Sequence, residues 1–257
     1  MKPWPYPLWV AHRGAGTLAP ENTLAAFRLG ARYGYRAFEC DVKLSRDGQA
    51  FLLHDADLQR TSSGQGLAAD HDWASLSLLD AGSWHSRGYA GEPLPSLPAI
   101  AAFCLANGHA LNIEIKPSPG TADETGRQVA LAAQRLWQDA AMAPLLSSFE
   151  PEALQAARRA APSLPRALLV DTLWAGWFAQ ALDLGCIAVV ANHHLYTATL
   201  IEQLHEAGLR ALAYTVNDPE SARGLICWGI DGLITDAVDH FAPGAGAAAT
   251  RFSGPRA

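Results

Sequence analysis

The sequence predicts an α/β chain folded as a TIM (β/α)8 barrel with a small insertion after its second strand unit. Three observations carry that expectation. Strand and helix signals alternate almost from end to end. A chain of 257 residues, 49% hydrophobic and 17% charged, suits one large core. Four short polar clusters each close a predicted strand: His12-Arg13-Gly14, Glu39-Cys40-Asp41, His54-Asp55 and Glu114-Ile115-Lys116.

Pro7 to His12 reads as a short buried strand, and Asn22 or Thr23 can cap a helix running to about Gly34. Ala37 to Leu44 is the second strand, Asp47-Gly48 a turn, and Ala50 to His54 a returning strand. Ala110 to Ile115 follows as a strand that Pro117 stops, then a helix from Thr121 to Asp139 with Ala and Leu at helical spacing. Leu145–Phe149, Ala167–Val170, Ile187–Ala191, Leu209–Thr215 and Gly232–Thr235 are the later strands. Helices at Pro151–Ala161, Leu173–Leu184, Thr197–Ala207 and Pro219–Cys227 separate them, with Gly185 and Gly208 as stops. With Ala37–His54 taken as one bent hairpin unit, eight parallel strands result, and eight βα units imply closure.

The segment from about 55 to 97 breaks this rhythm, with Gly, Ser, His and Pro and one helical patch near Trp73–Leu79. Its length marks a functional loop or small subdomain, expected over the active-site mouth because it follows His54 directly. The barrel is expected to occupy 1–242 as one catalytic domain, and the Gly/Ala-rich tail, 243–257, to be disordered.

The net charge of −6 with scattered Lys and Arg gives nucleic-acid binding little support. Met1–Leu8 lacks the long apolar run of a signal peptide. The most apolar stretch, about 167–191, is broken by Asp171, Gln180 and Asp183, so a buried β-α-β passage is expected in place of a transmembrane span. Cys40, Cys104, Cys186 and Cys227 form no CxxC pair and read as reduced core thiols of a cytoplasmic protein. A homo-oligomer is left open.

Side chains alternate along a strand, so Glu39 and Asp41 share a face, as do Glu114 and Lys116. Carboxylates gathered at a barrel mouth need a cation or a hydrogen-bond network to compensate them. Glu39, Asp41 and Glu114 offer hard oxygen donors without a thiolate, which favours one Mg²⁺ or Ca²⁺ over zinc. Salt bridges to Arg13, Lys43 or Lys116 are the alternative use of the same groups. His12 and His54 can divide general acid and general base duties near neutral pH. Arg13 and Lys116 suit phosphate oxygens. Glu21 and Asn22 open the first helix, where Asn22 can cap or support Glu39 or His12. Tyr214 and Asn217 stand at a late strand end, as does Asp236. Trp174, Trp177 and Phe178 read as core, with an apolar lip for an acyl chain or a membrane surface as the other option.

The chain resembles the glycerophosphodiester phosphodiesterases, in their bacterial soluble branch. The matching residues are His12-Arg13-Gly14, Pro20-Glu21-Asn22-Thr23, Glu39-Cys40-Asp41-Val42, Asp47-Gly48, His54-Asp55, Glu114-Ile115-Lys116, Tyr214-Thr215-Val216-Asn217 and Asp231-Gly232-Leu233-Ile234-Thr235-Asp236. Tyr214 is one departure, where the family often shows tryptophan. The resemblance implies a TIM barrel with an insertion after the second strand unit. It implies Mg²⁺ or Ca²⁺ on Glu39, Asp41 and Glu114, an acid/base pair in His12 and His54, and phosphate held by Arg13 and Lys116. The implied reaction is hydrolysis of a small-molecule glycerophosphodiester, such as glycerophosphocholine or glycerophosphoethanolamine, to an alcohol and sn-glycerol 3-phosphate. A lysophospholipase D-like activity and a non-catalytic phosphate-ester binding module are the rival readings.

Overall fold

The computed structural model describes residues 3–241 and residue 243; the expected disordered tail otherwise lies outside the described residues. Eight parallel strands run in the order β1 (Trp9–Ala11), β2 (Ala37–Leu44), β4 (Ala110–Ile115), β5 (Leu145–Ser148), β6 (Arg166–Val170), β7 (Ala188–Asn192), β8 (Arg210–Tyr214) and β9 (Gly232–Thr235). Pairing of β9 with β1 and of β1 with β2 closes the ring. The helices between them are α1 (Leu24–Arg32), α3 (Leu97–Asn107), α4 (Ala122–Leu136), α5 (Pro151–Ala160), α6 (Trp177–Asp183), α7 (Ala198–Glu206) and α8 (Pro219–Cys227).

Two apolar layers explain why the strands read as nearly continuous hydrophobic runs. Val10, Ala37, Ala110, Leu145, Ala167, Leu169, Ala188, Val190, Leu212 and Ile234 fill the barrel interior. The alternate residues, among them Phe38, Leu111, Ile113, Leu168 and Val189, pack outward against the helices. Strands buried on both faces cannot show a polar alternation. Each large aliphatic side chain removed from water in this way contributes roughly 1.5–3 kcal/mol.

β2 outlasts the barrel. Past Asp41 it pairs antiparallel with β3 (Ala50–Leu52) through Val42–Leu52, Lys43–Phe51 and Leu44–Ala50. Gly48, at φ +81°, makes the turn, and Ser45 Oγ accepts from Gln49 N at 2.9 Å to brace it. The hairpin carries the chain back to the mouth, where Leu53 N donates to Asp41 O at 3.1 Å. Residues 55–96 then build a small core of their own, in which Leu58, Ala68, Leu76, Ala81 and Leu94 join Phe51 and Leu53. Its one short α-helix is α2 (Trp73–Leu76). The segment meets the mouth through Asp55, bonded to His54, and Arg60, bonded to Glu21, while the cavity beside them is lined by His54 and by no residue of 55–97.

The structure departs from the sequence reading at four further points. α3 carried no sequence assignment, because Leu97–Asn107 is apolar nearly all round and shows no amphipathic stripe. Its end signals were nevertheless present: Ser96 accepts from Ala99 N, Pro98 opens the first turn, and Gly108 stops the helix in the left-handed region. α6 starts at Trp177, four residues after the expected Leu173, because Gly176 turns the chain at φ +89°. Trp177 and Phe178 pack on the core, whereas Trp174 is partly exposed beside a separate groove. Cys227 is exposed, unlike the buried Cys40, Cys104 and Cys186.

α4 and α5 approach closely because small residues meet. A Cβ added to Gly126 would stand 2.2 Å from the carbonyl oxygen of Ala153. Alanine ordinarily gains about 1 kcal/mol over glycine inside a helix. Here the clash with backbone reverses the sign, and Gly126→Ala should destabilise the fold by about 1–3 kcal/mol. Urea unfolding of the variant checks this; a higher midpoint would mean that the helix pair relaxes freely.

Candidate active site

The catalytic geometry begins with strand register. Parallel pairing sets Glu39 beside Asn112 and Asp41 beside Glu114, and neighbouring strands are only about 4.8 Å apart. The result is one oxygen atom from each of Glu39, Asp41 and Glu114 within 4.8 Å of the others. Glu39 and Asp41 are nearly inaccessible, inside β2 and not at its end, since β2 continues into the hairpin. Glu39 Oε1 and Asp41 Oδ1 are buried without a hydrogen-bond partner. Burial, with the charges of Asp41 and Glu114, pushes Glu39 well above the usual carboxylate range, and burial with Asp41 also raises Glu114. Burial would raise Asp41 too, but Arg13, Lys116 and His54 outweigh it and hold Asp41 low. Orphaned buried acceptors in an all-oxygen set fit a hard divalent cation.

Cations already ring this cluster. Arg13 Nε stands 3.2 Å from Asp41 Oδ2, and its NH1 donates to Glu21 Oε1 at 2.8 Å. Lys116 Nζ lies 2.9 Å from Glu114 Oε1 and 3.4 Å from Asp41 Oδ1. The salt-bridge use foreseen for these residues is therefore present, and Lys43 takes a different partner, donating to Lys116 O at 3.2 Å.

The loop after β1 is shaped to serve the cluster. Arg13 takes φ +49°, and its backbone N–H donates to Glu39 Oε2 at 3.1 Å. Gly16 passes so close to β9 that an added Cβ would sit 2.0 Å from Asp236 O. Asn22, at φ +59°, is not the helix cap; Thr23 is, accepting from Ala26 N. Asn22 instead grips Asp41 twice, Nδ2 donating to Oδ2 at 2.8 Å and Oδ1 accepting from Asp41 N at 3.1 Å. Its partner is neither Glu39 nor His12.

Each candidate histidine has its own aspartate. His12 Nδ1 is 2.6 Å from Asp236 Oδ1, and His54 Nδ1 is 2.7 Å from Asp55 Oδ1. A carboxylate can only accept here, so Nδ1 carries the proton and Nε2 is left for the cavity. His12 Nε2 lies 3.7 Å from Glu39 Oε2. Asn217 belongs to the same assembly, accepting from Asp236 N at 2.8 Å and donating to Asp236 Oδ2 at 3.2 Å. Glu21 ties the mouth to the insertion, since Arg60 donates to both its oxygens at 2.8 Å and to Asp55 Oδ2 at 2.5 Å. The sequence places Asp55 in a polar cluster and Asp236 at a strand end but assigns neither a role, and Arg60 gives no local signal.

Above these groups opens a cavity of about 400 Å³. Its walls include His12, Arg13, Glu39, His54, Glu114, Lys116 and Tyr214. Glu21, Asn22 and Asn217 line none of it and act through the side chains they hold. Charged donors, paired histidines and clustered oxygens in one concave space suit acid/base chemistry on an anion.

Burial lowers the His12 pKa, but the Asp236 hydrogen bond and the Glu39 charge outweigh it and raise it overall. Burial dominates at His54, with Arg13 adding to it against Asp41, and lowers it. In metal-free protein the two rings should titrate on opposite sides of the ordinary histidine value. A raised folded pKa stabilises the fold below the unfolded value, and that contribution is lost as pH rises through the folded one. Asp236→Asn should move His12 downward. Histidine ring NMR titration tests both; parallel titration of the two rings would refute the assignment.

The sequence matches the model of the glycerophosphoryl diester phosphodiesterase family over residues 12–240. The Bacillus subtilis protein YhdW is 33% identical over 241 residues, which cover 90% of this chain and 94% of that one. A glycerophosphodiester phosphodiesterase of Caldanaerobacter subterraneus is 29% identical over 233 residues, covering 89% and 93%. Among solved structures, an Oleispira antarctica phosphodiesterase in complex with the product sn-glycerol-3-phosphate superimposes with a TM-score of 0.84. It is 32% identical, with 90% of this chain and 94% of that chain covered.

Proposed function

Because this chain belongs to the glycerophosphoryl diester phosphodiesterase family, we propose that it hydrolyses glycerophosphodiesters to an alcohol and sn-glycerol 3-phosphate by paired-histidine catalysis at a carboxylate-bound divalent cation. The observation that carries the reading is a cluster of three carboxylates, two of which, Glu39 and Glu114, line one cavity together with the two aspartate-held histidines.

Glu39, Asp41 and Glu114 would hold one Mg²⁺ or Ca²⁺, which supplies Lewis-acid polarisation and a lowered pKa for a bound oxygen nucleophile. The protein's own groups do the rest. Arg13 and Lys116 face the cavity and hold the phosphate oxygens, where they offset charge that grows in the transition state. The two histidines divide the proton transfers at Nε2. One removes the proton of the attacking oxygen, and the other delivers a proton to the departing alkoxide. Asp236 and Asp55 fix ring orientation and tautomer, so that Nε2 is available without a rotamer search. Asn22 and Glu21 hold Asp41 and Arg13 in place for the same task. Among the described residues no helix is long and apolar enough to cross a membrane, and a small-molecule substrate fits the cavity's size.

Release of glycerol 3-phosphate from glycerophosphocholine, with Mg²⁺, with Ca²⁺ and after chelation, tests the reaction and its metal. Chelation should abolish turnover, and one of the two cations should restore it. His12→Ala and His54→Ala should each lower kcat by about 10²–10⁴-fold. Turnover of both variants within a few fold of the parent would remove the histidines from the chemistry.

A further inference from the structure

The proton and phosphate chemistry leaves one constructed group of the cavity unused. Asp171 directly follows β6, which stands opposite β1 in the ring of eight strands, and it lines the same cavity as His12 and Arg13. Its Oδ1 accepts from Asn192 Nδ2 at 3.1 Å and from the Tyr214 hydroxyl at 3.2 Å. Asn192 is fixed in turn, because its own Oδ1 accepts from His194 N at 3.1 Å. Side chains at the ends of three adjacent strands thus aim a single carboxylate, while no hydrogen bond or ion pair among the described residues uses its Oδ2.

The two cations that line the cavity, Arg13 and Lys116, stand with the carboxylates Glu39 and Glu114, whereas Asp171 follows the strand opposite β1. Arg13 and Lys116 mark the phosphate side, each already paired with carboxylates. Asp171 has no cationic partner among the described residues. Between the two, the Lys116 ammonium stands over the Phe149 ring at 5.9 Å, and Phe149 meets the Tyr214 ring edge-on at 5.8 Å. With the phosphate of a diester at Arg13 and Lys116, one of its two alcohols would face the rings and the carboxylate that line the same cavity.

The geometry points to Asp171, held by Asn192 and Tyr214, as the residue that selects an ammonium-bearing alcohol as head group. The inference rests on the glycerophosphodiesterase reading and adds to it which head groups are preferred and by what residue. The carboxylate supplies the opposite charge at one end of a dipolar substrate, and the rings of Tyr214 and Phe149 supply apolar contact for methylene or N-methyl groups. A neutral polyol in the same place gains no charge complement.

The test compares kcat/KM for glycerophosphocholine, glycerophosphoethanolamine and glycerophosphoglycerol in the wild type and in Asp171→Asn. Asparagine keeps an acceptor for Tyr214 and Asn192 and removes only the charge. Ratios taken within one preparation do not depend on the folded fraction. The wild type should prefer both cationic head groups, and Asp171→Asn should shrink that preference about fivefold or more, mainly through KM. An equal fall on all three substrates would place Asp171 on the glycerol side and overturn the assignment. So would a wild type indifferent to head-group charge, with hydrolysis itself intact. Failure to turn over any of the three, with metal present, would overturn the activity reading and this inference with it.

Discussion

Three carboxylates drawn into one water-poor space at the barrel mouth are the constraint on which the rest of this structure depends. Taking such charges out of water costs several kcal/mol per ion unless it is offset, and their mutual repulsion adds to that. The protein answers by surrounding them. Arg13 and Lys116 bring charge, the Arg13 backbone and Asn22 bring hydrogen bonds, and Glu39 Oε1 and Asp41 Oδ1 are left without a hydrogen bond. A cluster balanced in this manner could hold a cation while remaining tolerable without one.

The positive backbone angles at Arg13 and Asn22 follow from the same need. Left-handed conformations at residues other than glycine cost of order 1 kcal/mol or more and persist only where surroundings fix them. Two of the fixing contacts are to the carboxylates themselves, Arg13 N to Glu39 Oε2 and Asn22 Nδ2 to Asp41 Oδ2, and a third joins Asn22 N to the backbone Arg13 O at 2.9 Å. The loop after β1 is therefore shaped by β2, its neighbour in the ring, and closure of the barrel through β1 and β2 is a condition for the site as well as for the fold. On the far side of the ring, β6, β7 and β8 carry a separate polar network around Asp171, so the two sides of one cavity are built by different strands.

Much of this was legible in the chain. Eight strands and their helices stood out because parallel strands buried on both faces leave runs of Val, Ile, Leu and Ala between turn residues. The triad Glu39, Asp41 and Glu114, with His12, His54, Arg13 and Lys116, stood out because charge is rare in such runs. α3 escaped because a helix apolar on all sides has no stripe to read. Asn22 and Thr23 both stand where a helix cap is expected, and Thr23 takes that role, which frees Asn22 to hold Asp41.

The sequence by itself determined the alternation of elements, the hydrophobic layers and the chemical types present at strand ends, since each depends on neighbours within a few residues. It also carried the family resemblance, through short motifs in a fixed order. Partnership was decided only by tertiary structure. His12 with Asp236 spans 224 positions, Arg60 with Glu21 spans 39, and Asp171 with Tyr214 spans 43. Such pairs are set by strand register and ring closure, which bring distant residues within hydrogen-bond reach and leave no trace in local spacing.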